Sequence, residues 1–314
     1  MSNYGSYASY FIDTSKPFDQ QMCMFDDTRT WQQYFLQAAI TNYENVTAIW
    51  QEARLAGFQL SQEDQDYLDE LDGQITVAAA SYSYGSADEY LQMAYGPAAT
   101  LTSYHAFVER QITASAYLQV LVDEKPYTED DISKYYDDNA DSYAGNGIEK
   151  SDVKMVNVRH ILIQPEGKND DGTYTDEAWA EAEKKANDLL TEWQNGEHTE
   201  DSFAFMAAEN SQDPGSVENG GLYEDIYPGK MVDEFDAWCF DPARQPGDTG
   251  IVKTSYGYHI MYFSSTGEHA YWYVRAEEDY LNELSVSVLQ EVAAKFEVTE
   301  SEQNAAIVDV MQQN

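Results

Sequence analysis

Basic side chains are scarce in this chain. Its 314 residues carry 17 Lys and Arg against 57 Asp and Glu, a formal net charge of -40. No stretch collects enough cations to displace counterions from a phosphate backbone. That excludes a nucleic-acid partner and, for the same reason, a general affinity for anionic lipid heads. Cysteine is nearly absent: Cys23 and Cys239 lie far apart, which is neither a disulfide framework nor a metal-site spacing. Cys239, one helical turn after Phe235 and between Trp238 and Phe240, reads as a buried small hydrophobe. Cys23 follows Gln20, Gln21 and Met22 rather than a small-residue cleavage signal, so it is not a lipid-attachment candidate. No run approaches the ~18 apolar residues of a membrane span, and the N-terminus lacks a basic segment with an apolar core. A signal or membrane anchor is therefore expected to be absent from this chain. A Gly-x-Ser-x-Gly nucleophile elbow is missing. His105, His198 and His269 have no partner at zinc spacing. Asp64, Asp66, Asp69 and Asp72 miss the calcium-loop pattern and fit a solvated helix face, and Asp170-Asp171-Gly172 fits a turn.

What is present is enough to fold. Hydrophobic residues make up 43% and aromatics 14%, with 25 Tyr, which is not the composition of a disordered acidic chain. The length suggests about two globular units. After a polar, Tyr-rich lead-in, Phe35, Ala39, Tyr43, Val46, Trp50 and Ala53 recur at helical spacing, with Gly57 as a stop. A second helix opens behind Ser61 and carries Leu68, Leu71 and Ile75. A third opens with a capping box, Ser86 with Glu89, and ends at Gly96-Pro97. Leu101, Tyr104, Val108 and Ile112 head a fourth, and Thr128 caps a fifth with Ile132 and Tyr136. No strand is expected before residue 145.

Tyr143-Ala-Gly-Asn-Gly-Ile148 reads as a joining loop, and β signals follow it. Val156 to Ile163 alternates like a half-buried strand. Helices are expected from about Asp176 to Gly196, over Phe203 to Asn210 and around Met231 to Phe240. Two strands, Thr249 to Thr254 and His259 to Phe263, close the segment around Tyr256-Gly257. After Ser264 to Gly267 the helical period returns at Leu281, Leu284, Val288 and Val292, and Thr299 with Glu302 caps a last short helix. One C-terminal helix cannot bury its apolar face alone, so it is expected to pack back on the N-terminal helices. The fold class is α+β: a βααβαββ segment with a small antiparallel sheet, inserted in an all-α lobe. The expected divisions are 1–152, 153–266 and 267–314.

Residues 154–265 resemble the parvulin family of peptidyl-prolyl cis/trans isomerases along their whole length. The resemblance is carried by Val158-Arg-His-Ile-Leu-Ile163, by Phe203 to Asp213, by Gly220-Gly-Leu-Tyr223 with Gly229-Lys-Met-Val-Asp-Glu-Phe235, and by Gly247-Asp248 with Thr254-Ser-Tyr-Gly-Tyr-His-Ile260. The helical flanks resemble the layout of PrsA-like and SurA-like extracytoplasmic foldases. The likeness implies His160, Asp213, Thr254 and His259 as the polar active-site group, the two histidines lying back to back and positioning Asp213 and Thr254. It implies Leu222, Met231 and Phe235 as the proline pocket; Tyr256 either lines the groove or is a plain turn residue. Cofactor and metal are expected to be none. The implied partners are unfolded or nascent exported polypeptides with Xaa-Pro bonds, handled outside the cytoplasm, with a homodimer left open. A non-catalytic holdase using the domain as a peptide-binding module is the alternative.

Overall fold

The computed structural model describes residues 11–13, 15–169 and 172–296, in two compact units. One gathers the described residues through Pro126 with those from Leu281 onward; the other runs from Tyr127 to Tyr280. The helix expected after Thr299 lies outside the described residues, as do Asp170 and Asp171.

The first unit carries a hairpin that was not expected, β1 (Met22–Cys23) against β2 (Asp26–Thr30). Its strands are too short and polar to show period-2 alternation. Cys23 nonetheless anchors it by packing with Ile12 and Trp31. Thr30 then caps α1 (Trp31–Ala56) in a reciprocal box with Gln33, and Gly57 ends it in the left-handed region at φ 69°. Ser61 caps α2 (Gln62–Ser81), and Ser86 caps α3 (Ala87–Tyr95). The capping box expected at Ser86 is altered: Glu89 accepts from the Gly85 N–H instead of the Ser86 N–H. Thr100 caps α4 (Leu101–Asp123). The returning C-terminal helix supplies Val292 to a core with Ala48, Ile49, Ala53, Ala114 and Tyr117, and ion pairs Lys125–Glu291 and Lys295–Glu52 flank it.

In the second unit, Thr128 caps α5 (Glu129–Asp138) and α6 (Ala140–Gly145) follows, so part of the expected joining loop is helical. Ile132, Tyr136 and Tyr143 bury against Tyr273 and Ala276 of α10 (Tyr271–Ala293). These helices therefore count with the sheet, although they precede the sheet in sequence. The sheet has order β4-β3-β6-β5, every pair antiparallel, with β3 (Lys154–Ile163), β4 (Leu222–Ile226), β5 (Thr249–Thr254) and β6 (Gly257–Ala270). Strand β6 runs beyond Phe263 because Asn157↔Ser265, Val156↔Thr266 and Lys154↔Ala270 keep pairing through a polar stretch. One face carries α7 (Asp176–Asn195) and α8 (Glu200–Asn210) over Ile161, Ile163, Ile260 and Tyr262. The other carries α9 (Asp233–Cys239) over Val158, Val252, Met261 and Phe263.

Candidate active site

The second face of the sheet also holds the polar group. Alternation along β3 puts His160 on the side of Val158, and alternation along β6 puts His259 on the side of Met261. Both histidines are buried. With His160 paired to Met261 and Leu162 to His259, the imidazoles are diagonal neighbours, and their Nδ1 atoms lie 3.0 Å apart. Thr254, at the end of β5, meets His259 Nε2 through its Oγ1 at 2.8 Å.

Asp213 arrives from the other direction. The segment after α8 is strapped to the end of β3: Ser211 Oγ accepts from the Leu162 N–H at 3.1 Å, Leu162 O accepts from the Gln212 N–H at 2.9 Å, and Gln212 Oε1 accepts from the Gln164 N–H at 2.6 Å. This sets Asp213 Oδ2 at 2.9 Å from His160 Nε2. With one proton on each imidazole and an ionised Asp213, one run of donation fits all of these contacts. The Tyr256 N–H donates to Thr254 Oγ1, Thr254 O–H to His259 Nε2, His259 Nδ1–H to His160 Nδ1, and His160 Nε2–H to Asp213.

Electrostatics agree with that direction. The bond from His160 holds the Asp213 carboxyl far below the usual carboxylate range, with further help from Ser216 and Tyr223 against the opposing effect of burial. Burial, followed by the neighbouring His160, lowers His259 to about 4, so its ring is neutral near pH 7. The centre is thus an ionised acceptor, Asp213, in contact with a buried, ordered histidine pair of which His259 is neutral. It contains no activated nucleophile.

Phe235, 1% exposed, lies edge-on to both imidazoles at 5.4 Å, with interplanar angles of 83° and 88°. Met231 is half-buried and packs on the same cluster. It precedes α9 instead of belonging to it, since the helix starts at Asp233. Tyr256 brings its backbone amide to Thr254, while its side chain is 58% exposed.

Leu222 is not brought to the site. Val156 pairs with Ile226 but Val158 pairs with Tyr223, so β4 carries one extra residue, marked by Asp225 at φ 53°. Counting back by twos from the buried Ile226 would place Leu222 on the site face; the bulge shifts the phase by one and places Tyr223 there instead. The Tyr223 ring stacks on His160 at 5.2 Å, and its hydroxyl donates to Asp213 Oδ2 at 2.9 Å. Ser216, also missed by sequence reasoning, is 2% exposed and donates to the same oxygen at 2.5 Å. Its only signal was its position three residues after Asp213, within reach of a turn. Gly221 is obligatory beneath them, because a Cβ there would come within 2.2 Å of the His160 carbonyl oxygen.

Residues 146–265 match the family model of the PPIC-type PPIase domain. This chain carries a parvulin-type peptidyl-prolyl isomerase domain. It is similar to Foldase protein PrsA 1 of Listeria innocua, 31% identical over 34% of this chain and 29% of the relative. It is also similar to Chaperone SurA of Pseudomonas savastanoi pv. phaseolicola, 35% identical over 34% of this chain and 22% of the relative. The match thus spans less than a third of the length of either relative. Among solved structures, PrsA from Bacillus subtilis aligns over 93% of this chain and 99% of that one, at 18% identity and a TM-score of 0.38. Among the described residues, no helix is long and apolar enough to cross a membrane.

Proposed function

We propose that the parvulin-type domain catalyses cis/trans exchange of Xaa-Pro bonds, and that the protein assists unfolded or exported polypeptides outside the cytoplasm. The observation that carries this reading is the juxtaposition of an apolar floor, Phe235 with Met231, and an ionised carboxylate, Asp213, fixed by an ordered histidine pair. The uncatalysed barrier of ~18–20 kcal/mol arises because rotation breaks amide resonance. That resonance puts negative charge on the carbonyl oxygen, so a carboxylate nearby disfavours the planar amide relative to the twisted one. A dry floor that holds the pyrrolidine ring through the turn adds binding that both planar forms share less well. Removing about 4 kcal/mol suffices for roughly a thousandfold acceleration, with no covalent step. Extracytoplasmic action is inferred from the likeness to the foldase and chaperone relatives.

The slow, proline-limited phase in the refolding of a model client tests this. Acceleration of that phase by catalytic amounts is expected. A holdase reading is favoured by the exposed Val77, Tyr82, Met93 and Tyr95 of the helical unit, each at least 65% exposed. It predicts suppressed aggregation with an unchanged slow phase.

A further inference from the structure

Asp213 is held more tightly than one histidine requires. Its Oδ2 accepts from three donors, His160 Nε2 at 2.9 Å, Ser216 Oγ at 2.5 Å and Tyr223 Oη at 2.9 Å. Its Oδ1 accepts, among the described residues, the Gly215 N–H at a long 3.3 Å. The carboxylate is therefore oriented: one oxygen is saturated inside the network and the other is left with open acceptor capacity. The Asp213 side chain is 16% exposed, so the carboxylate is not sealed off from a bound peptide. Two of the three inner donors, His160 and Ser216, are buried. Tyr223 is half-buried and stands at the rim of the network.

Local structure is arranged around that hydroxyl. The bulge in β4 turns Tyr223 onto the site face, and its ring continues the stack of imidazoles, at 23° to His160 just as His160 is to His259. At position 215 a Cβ would come within 2.7 Å of Tyr223 Oη, so glycine there leaves the space the hydroxyl fills. Burial and then the adjacent carboxylate push the Tyr223 phenol up to about 12, so it remains a proton donor across the physiological range.

We propose that Tyr223 is a positioning residue of this site: its hydroxyl, admitted by Gly215, pins Oδ2 of Asp213 so that Oδ1 faces the peptide. This rests on the isomerase reading for its kinetic consequence but not for its structural one. Losing one hydrogen bond to a charged group should lower kcat about tenfold in Tyr223→Phe, with KM within about twofold because the ring is retained. Gly215→Ala should do the same by displacing the hydroxyl. Because both act on one contact, the double variant should be no slower than the slower single one.

The test pairs kcat and KM of the two single variants and the double with an NMR titration of the Asp213 carboxyl carbon, using the full chain. The expected result is a lower kcat with an Asp213 titration shifted upward in Tyr223→Phe, since its ionised form has lost a donor. An unmoved titration, an unchanged kcat, or additive losses in the double variant would each overturn the role. A wild type without turnover would overturn the isomerase reading instead, while the titration would still decide whether Tyr223 holds the carboxylate.

Discussion

At the scale of the residue, the proposed function separates groups that support the fold from groups expected to face the peptide. Asp213→Asn keeps the shape and removes the charge. It should reduce kcat/KM by at least about tenfold, ~1.4 kcal/mol, and lower the thermal unfolding midpoint as well, because His160, Ser216 and Tyr223 lose an ionised acceptor. An unchanged kcat/KM beside a lowered midpoint would make Asp213 a support of the fold only. Phe235→Ala should cost stability as well, about 3–5 kcal/mol, because its ring is 1% exposed and wedged against both imidazoles. Met231→Ala, at a half-buried position, is the cleaner probe of the pocket and should weaken peptide exchange with a smaller loss in unfolding free energy. His259 also sets a pH dependence. His259 titrates near 4 in the folded chain against 6.5 for an ordinary imidazole, so between those values the unfolded state binds the extra proton. Stability is then full above pH ~6.5 and falls as pH drops through the window to about 4, by on the order of 3 kcal/mol. Asp213, also lowered on folding, adds a loss of the same sign below the ordinary carboxylate range. Urea midpoints from pH 7 to 4, compared with His259→Gln, should show a smaller pH slope in the variant.

At the scale of the element, the sheet segment buries its own cores. The clusters on its two faces draw only on residues from Val156 to Phe263. Residues 153–266 expressed alone are therefore expected to fold, with dispersed amide resonances and retained peptide activity. An unfolded spectrum would show that α5, α6 and α10, which close a separate cluster around Tyr143, are needed to hold the sheet. Most of this arrangement was legible in the sequence because its signals are local. Alternation marked β3, Ser61, Ser86 and Thr128 marked three of the helix starts, and the parvulin resemblance singled out His160, His259 and Phe235. What failed was where local rules are broken. The bulge at Asp225 reversed the facing of Leu222 and Tyr223, and no hydrophobic pattern announces an extra residue. The β1–β2 hairpin and the far end of β6 are fixed by backbone pairing of polar residues, which leaves no periodicity to read.

At the scale of the whole molecule, the net charge of -40 should govern which peptides arrive. Two of the few bases of the sheet segment already face rings: Lys168 lies 5.0 Å over Tyr174, and Lys253 lies 4.4 Å over Trp179. A phosphate dianion beside proline would meet acidic surroundings, with repulsion screened only over the ~8 Å Debye length of physiological salt. Unphosphorylated substrates with Lys or Arg flanking proline should have the higher kcat/KM, and the preference should fade as salt rises. Faster turnover of a matched phosphopeptide would contradict this. The central claim, that the face formed by Phe235, Met231 and Asp213 turns an Xaa-Pro bond, is tested most directly by NMR exchange spectroscopy. An unphosphorylated Lys-Ala-Pro peptide would be used with catalytic amounts of the full chain. In buffer the two isomers exchange over roughly 10–100 s and give no cross-peaks on the spectroscopic timescale. The account predicts cis–trans cross-peaks that appear with the wild-type protein and are reduced by Met231→Ala; exchange at the buffer rate with the wild type would contradict it.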